Sequence, residues 1–177
     1  MRTMRQLMSK MPDDGKARHL LREFNNSSSQ HGRPVSVKRL AERLGLDVHV
    51  VRLPSGMTGR LVSDGLTKAG YRIEVSDRAT LLARRWAVLH ELGHYFLHRN
   101  AEYDFLASDA AFDASGRTFY EDKAQEREAN QFASVLLFSD GAIASAVSVY
   151  GRNCEALSRR FGVTENMIKV ALREYAS

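Results

Sequence analysis

The sequence predicts an α+β fold: a small antiparallel-type sheet packed on one long helix, with a helical carboxy-terminal part. Three short runs rich in β-branched residues lie close together between residues 48 and 75, and the apolar repeat becomes helical at Thr80. A chain of 177 residues, 44% hydrophobic and 27% charged, also has the apolar content for one buried core.

Each element follows from local pattern. Ala17, Leu20, Leu21 and Phe24 are spaced for a short amphipathic helix over Lys16 to Phe24. The polar run from Asn25 to Gly32 reads as a linker, so residues 1–33 are expected to form a mobile basic arm and residues 34–177 the main domain. Val37, Leu40, Ala41 and Leu44 mark a second helix, with Gly45 placed to end it. Strands are expected over Val48 to Leu53, Arg60 to Val62 and Tyr71 to Val75, separated by Pro/Gly-containing turns. A long helix runs from Thr80 to about His98, and residues 100–117 read as an acidic surface loop. Helices then follow over about 122–138, 140–149, 153–161 and 164–175.

Composition excludes several classes. One cysteine, Cys154, rules out an internal disulfide and a cysteine-rich metal knuckle, and it points to a reducing compartment. No apolar run approaches the ~20 residues of a bilayer-spanning helix, and the amino terminus lacks the apolar core of a secretory signal. No membrane association is expected, and the cytoplasm is the expected location. The net charge of +5 is unevenly placed: of 26 basic and 21 acidic residues, ten and four lie in residues 1–43, so the remainder is nearly neutral. A neutral body lacks the electrostatic footprint of a nucleic-acid binder. Direct DNA binding is therefore not expected, although Leu157 to Ile168 has the outline of a helix-turn-helix.

The chemistry centres on His90-Glu91-Leu92-Gly93-His94. Residues four apart share a helix face, so both imidazoles can reach one ion while Glu91 stands beside a water bound to it. A catalytic zinc site takes three protein ligands and leaves a position for water, so a third ligand is needed. A continuation of the motif would require glycine at 97 and histidine at 100, but Leu97 and Asn100 stand there. His98 is one further turn along the same helix, and three collinear side chains cannot converge on one ion, which makes it an exposed or supporting histidine. A glutamate on a later helix is the alternative. Glu126 and Glu128 are both candidates, pointing roughly 200° apart on a helical wheel. Glu126 is preferred because the apolar stripe through Ala129, Phe132 and Ala133 runs beside its face, which Asn130 shares and from which it could bond a ligand histidine from behind. Glu91 would take the proton of the bound water as general base. Trp86 reads as core, Cys154 as inert, and Tyr95, Tyr120 and Tyr150 as equal candidates for stabilising an oxyanion.

HELGHYFLH at 90–98 and EREANQFASVLL at 126–137 together resemble the ImmA/IrrE family of metallopeptidases. The likeness extends over about residues 34–175. It implies His90, His94 and Glu126 as metal ligands, Glu91 as catalytic base, Zn2+ or another divalent ion such as Mn2+ as cofactor, and site-specific endopeptidase activity. It also implies a protein substrate, a helix-turn-helix transcriptional repressor cleaved in a stress response or in mobile-element induction. A non-enzymatic DNA- or repressor-binding regulator with a structural metal site is the rival reading. Leu136-Leu137-Phe138-Ser139 and Ala171-Leu172-Arg173 depart from the family pattern, so no role for Arg173 carries over. The acidic residues Glu102, Asp104, Asp109 and Asp113 suit recognition of a basic repressor face, with the arm expected to be dispensable for chemistry.

Overall fold

The computed structural model describes residues 2–30, 34–99 and 123–176. The acidic loop and Tyr120 lie outside these. The helices among them are α1 (Met4–Met8), α2 (Gly15–Gln30), α3 (Val37–Arg43), α4 (Leu81–Leu97), α5 (Lys123–Phe138), α6 (Ala142–Tyr150), α7 (Cys154–Phe161) and α8 (Glu165–Ala176). The strands are β1 (Asp47–Val51), β2 (Gly59–Ser63) and β3 (Tyr71–Ser76). The α+β class is as the sequence predicts.

The sheet has the order β1-β3-β2, with the last strand in the middle. β2 runs antiparallel to β3, Leu61 opposite Ile73, but β1 runs parallel to β3, Val48 opposite Ile73. The sheet is therefore mixed, which corrects the antiparallel expectation for one of its two pairings. Ile73 and Val75 face the core. On the other side Glu74 is also buried, and it accepts hydrogen bonds from Arg60 Nε at 2.7 Å and Arg72 Nε at 2.9 Å. Burial pushes the Glu74 carboxyl up, and the two guanidinium groups outweigh this to leave it below its ordinary value.

Helix α4 is the axis of the molecule. Thr80 caps its start by accepting from the Ala83 N–H at 3.2 Å. Its apolar faces bury Val88, Leu89, Leu92 and Phe96 against the sheet on one side and α5 on the other. The crossing with α5 is close because Gly93 has no side chain: a Cβ there would lie 2.8 Å from Ala129 Cα and 3.1 Å from Ala129 O. At the other end, Arg85 ties distant segments to α4. Its guanidinium donates to the carbonyls of Val35 at 2.8 Å and Gly162 at 2.9 Å, and burial holds its pKa below the ordinary value.

The amino-terminal residues are part of the core rather than a free arm. Met4, Leu7, Met8, Met11, Leu20, Leu21 and Phe24 are all nearly inaccessible and join the main apolar cluster. Helix α2 runs on through the polar run to Gln30, so residues 25–30 are helix and not linker. Asn25 explains how polarity and burial coexist: its Nδ2 donates to the carbonyls of Val135 and Leu136 at 3.3 and 3.1 Å. Helix α1 has no counterpart in the apolar pattern. It is set by a capping box in which Thr3 and Gln6 exchange side-chain and backbone bonds. Some of the basic charge is paired: Arg43 with Glu23, Arg18 with Asp13 and Lys10 with Glu128.

The Leu157–Ile168 segment does form two helices about Gly162, but the turn is packed inward. Val163 is fully buried, and Arg85 and Pro34 press on Gly162. Phe138, at the first departure from the family pattern, packs edge-on against Phe161. Arg173 lies on the exposed face of α8.

Candidate metal centre

The site forms where α4 crosses α5 beneath the edge strand β2. His90 and His94, one turn apart on α4, bring their Nε2 atoms to 3.0 Å. From α5, Glu126 sets Oε2 at 3.3 Å from His90 Nε2 and Oε1 at 3.1 Å from His94 Nε2. One ligand atom from each of the three residues lies within 4.8 Å of the others. Glu128 points away from this cluster, as the helical wheel requires.

The donor set fits a divalent cation. Asn130 Oδ1 can only accept, so His90 Nδ1, 3.2 Å away, carries the proton and leaves the Nε2 lone pair facing the cluster. Burial lowers the His90 pKa against the pull of Glu126, and burial with help from His90 and His98 pushes His94 down to about 3. Both imidazoles are thus held neutral. Two nitrogen lone pairs and a carboxylate converging on one point repel one another unless a cation joins them, and His₂Glu is a zinc-type set that leaves a position open for water.

Glu91 lies beside this cluster with 4% of its surface exposed. One carboxylate oxygen, Oε2, has no hydrogen-bond partner, and the carboxyl also receives the backbone N–H of Leu61. Burial, reinforced by the charge of Glu126, pushes its pKa up to about 8. Gly59 on β2 permits this approach, because a Cβ there would meet Ala87 Cβ at 3.0 Å and Glu91 Oε1 at 3.3 Å. An open cleft of about 590 Å³ leads to the cluster, lined by His90, Glu91, Glu126 and Asn130 together with Met57, Trp86 and Met167.

Trp86 therefore has two faces: it packs against the core and also lines the cleft, where the sequence reading placed it in the core alone. The tyrosine candidates fare differently. Tyr95 is buried edge-on between Tyr71 and Phe96, and Tyr150 is at the end of α6, so neither is among the cleft-lining residues. Met57, Gly59 and Met167 carried no sequence signal, since methionine and glycine at a cleft are indistinguishable by pattern from methionine in a core and glycine in a turn. His98 is not exposed. Its ring bonds His94 on one side and Glu128 on the other.

A buried carboxyl beside a convergent His₂Glu set, on a helix that backs a small sheet, defines a metallopeptidase-like domain. Residues 41–173 match the family model Peptidase_M78, the IrrE N-terminal-like domain, and the chain belongs to that family. The resemblance seen in HELGH and the later glutamate helix is borne out. The family is one of metal-dependent peptidases, and the His90, His94 and Glu126 group could hold the ion. Among solved structures, the chain is similar to a Mycobacterium tuberculosis transcriptional regulator, with 20% identity and a TM-score of 0.53 over 86% of this chain and 44% of that one. The chain thus spans less than half the length of that protein, and the likeness is one of fold. No curated protein matches the chain by sequence.

Proposed function

We propose that the chain is a zinc-dependent, site-specific endopeptidase of the cytoplasm, acting on a helix-turn-helix transcriptional repressor to relieve repression. The observation that carries this reading is Glu91: a carboxylate buried next to the cation cluster, with one oxygen unpartnered, is costly to the fold and has no use in a purely structural metal site. His90, His94 and Glu126 hold the ion, which when bound supplies an acidified water and polarises the peptide carbonyl; manganese is the alternative ion. The positive charge of a bound ion would draw the Glu91 carboxyl back to its ionised form, in which it would accept the water's proton at its free oxygen and return it to the leaving amine. Asn130 keeps His90 in the tautomer that presents Nε2.

The cleft supports a polypeptide substrate because it is open and bordered by β2, an edge strand of the sheet, along which an extended segment can lie. Substrate choice is assigned to Glu102, Asp104, Asp109 and Asp113, whose negative charge suits a DNA-binding surface. The carboxy-terminal helix pair serves the cleft rather than DNA: Met167 lines it, and the turn at Gly162 is held by Arg85. Among the described residues no single helix is long and apolar enough to cross a membrane.

The test is cleavage of purified helix-turn-helix repressors from the same organism, followed by mass spectrometry. Wild-type protein with zinc should give one cut that a chelator abolishes. Glu91→Gln should retain the metal and lose about 10²- to 10⁴-fold in rate. Cleavage by Glu91→Gln at the wild-type rate would sink the mechanism.

A further inference from the structure

Behind the metal cluster a second chain of contacts runs in the opposite direction, toward the amino terminus. His94 Nδ1 lies 3.1 Å from His98 Nδ1, His98 Nε2 lies 3.2 Å from Glu128 Oε2, and Lys10 Nζ lies 2.7 Å from Glu128 Oε1. The His98 side chain is only 6% exposed, whereas those of Glu128 and Lys10 are 38% and 44% exposed. Lys10 follows α1, in the segment before residue 41 that the family match does not include.

The proton positions along this chain are determined by its two ends. With the His94 Nε2 lone pair given to a cation, the ring's single proton sits on Nδ1 and must be donated to His98 Nδ1. His98 then carries its own proton on Nε2 and donates it to Glu128. Glu128 is an acceptor at both oxygens, and Lys10 supplies the second donor together with a positive charge that keeps the carboxylate ionised. With His98 neutral and donating to Glu128, each link fixes the tautomer of the next and leaves His94 open at Nε2. The neighbouring ligand His90 is served differently, by a single neutral amide.

We propose that His98, Glu128 and Lys10 are positioning residues that hold His94 as a neutral Nε2 ligand, so that the amino-terminal segment sets the metal affinity of a centre to which it contributes no ligand. The inference rests on the reading of His90, His94 and Glu126 as the ligand set. Partners in this position typically change metal affinity by about 10- to 100-fold when removed. The outermost link is a half-exposed ion pair, and its effect is smaller and screened by salt.

The experiment is zinc titration of the full-length chain against a chromophoric chelator, at low salt and pH 7, with the cobalt(II) absorption spectrum as a second readout. Wild type should bind one equivalent. His98→Phe and Glu128→Gln should weaken zinc binding about tenfold or more while keeping a four-coordinate cobalt spectrum. Lys10→Met should weaken it about two- to fivefold, Lys10→Arg should restore it, and the Lys10→Met effect should vanish in Glu128→Gln and shrink at about 0.5 M salt. Glu128→Gln alters a partly exposed side chain without changing its shape, so it reports even if His98→Phe misfolds. Unchanged zinc affinity in Glu128→Gln would overturn the relay alone. Loss of the bound equivalent in Glu128→Gln, with His98→Phe unaffected, would make Glu128 a ligand and overturn it too. A wild-type chain that binds no zinc would overturn the metal centre itself and the relay with it.

Discussion

Glu91 shows how one residue's environment makes a prediction that needs no substrate. An unfolded glutamate titrates near 4.5, whereas the folded one is pushed up to about 8, so in the metal-free protein the folded state holds this proton more tightly. Its contribution to stability is therefore present below pH 4.5 and is lost as pH rises through about 8. His94 acts oppositely: its ordinary value of 6.5 falls to about 3 on folding, so its contribution is present above 6.5 and is lost as pH falls through about 3. Above pH 6.5 only the Glu91 effect is still changing between these two. The melting temperature of metal-free protein should fall from pH 6.5 to 8, and Glu91→Gln should flatten that slope; equal slopes in both proteins would show that Glu91 is not the group responsible.

At the scale of elements, the metal centre depends on how closely α5 can approach α4, and Gly93 sets that distance. In an open helix, Gly93→Ala would stabilise by up to about 1 kcal/mol through backbone entropy. Here the added methyl meets the α5 backbone at Ala129, which cannot rotate away, so we expect destabilisation of about 1–3 kcal/mol together with weaker zinc binding as Glu126 is displaced. Denaturant melts and a zinc titration check both, and a gain in stability would refute the close crossing. The helices α4 and α5 were legible because their stripes repeat every 3.6 residues over four turns; His90 and His94 were legible because one-turn spacing allows few geometries, and Glu126 because a third ligand was needed and its helix face was the better of two. Strand order was not: alternation tells which face a side chain takes, but it does not reveal that β3 inserts between β1 and β2. Asn25 was misread for a related reason. Composition records a polar side chain, not the two helix carbonyls more than 100 positions away that satisfy it. The His98 and Glu128 link escaped because His98 was read as exposed or supporting with no partner to support it, and Glu128 was weighed only as a ligand.

For the whole molecule, the packing of residues 2–30 reverses the expectation that the amino-terminal arm can be removed. Burying each large apolar side chain contributes about 1.5–3 kcal/mol, so losing the set from Met4 to Phe24 removes an amount comparable with the ~5–15 kcal/mol net stability of a typical domain. A chain of residues 34–177 should therefore be unfolded or aggregation-prone by circular dichroism and limited proteolysis, with activity lost as a consequence. A truncated protein with a cooperative melt near that of the full chain would show the segment to be peripheral. The same packing constrains the order of events at the ribosome. The Met4 N–H donates to Asp140 Oδ1, 136 positions later in the chain. At about 5–20 residues per second of synthesis, the apolar faces of α1 and α2 wait roughly 7–27 s before α5 and α6 exist to cover them. Helices α1 and α2 are made well before the helices that cover them, and until then they are natural clients for a nascent-chain chaperone.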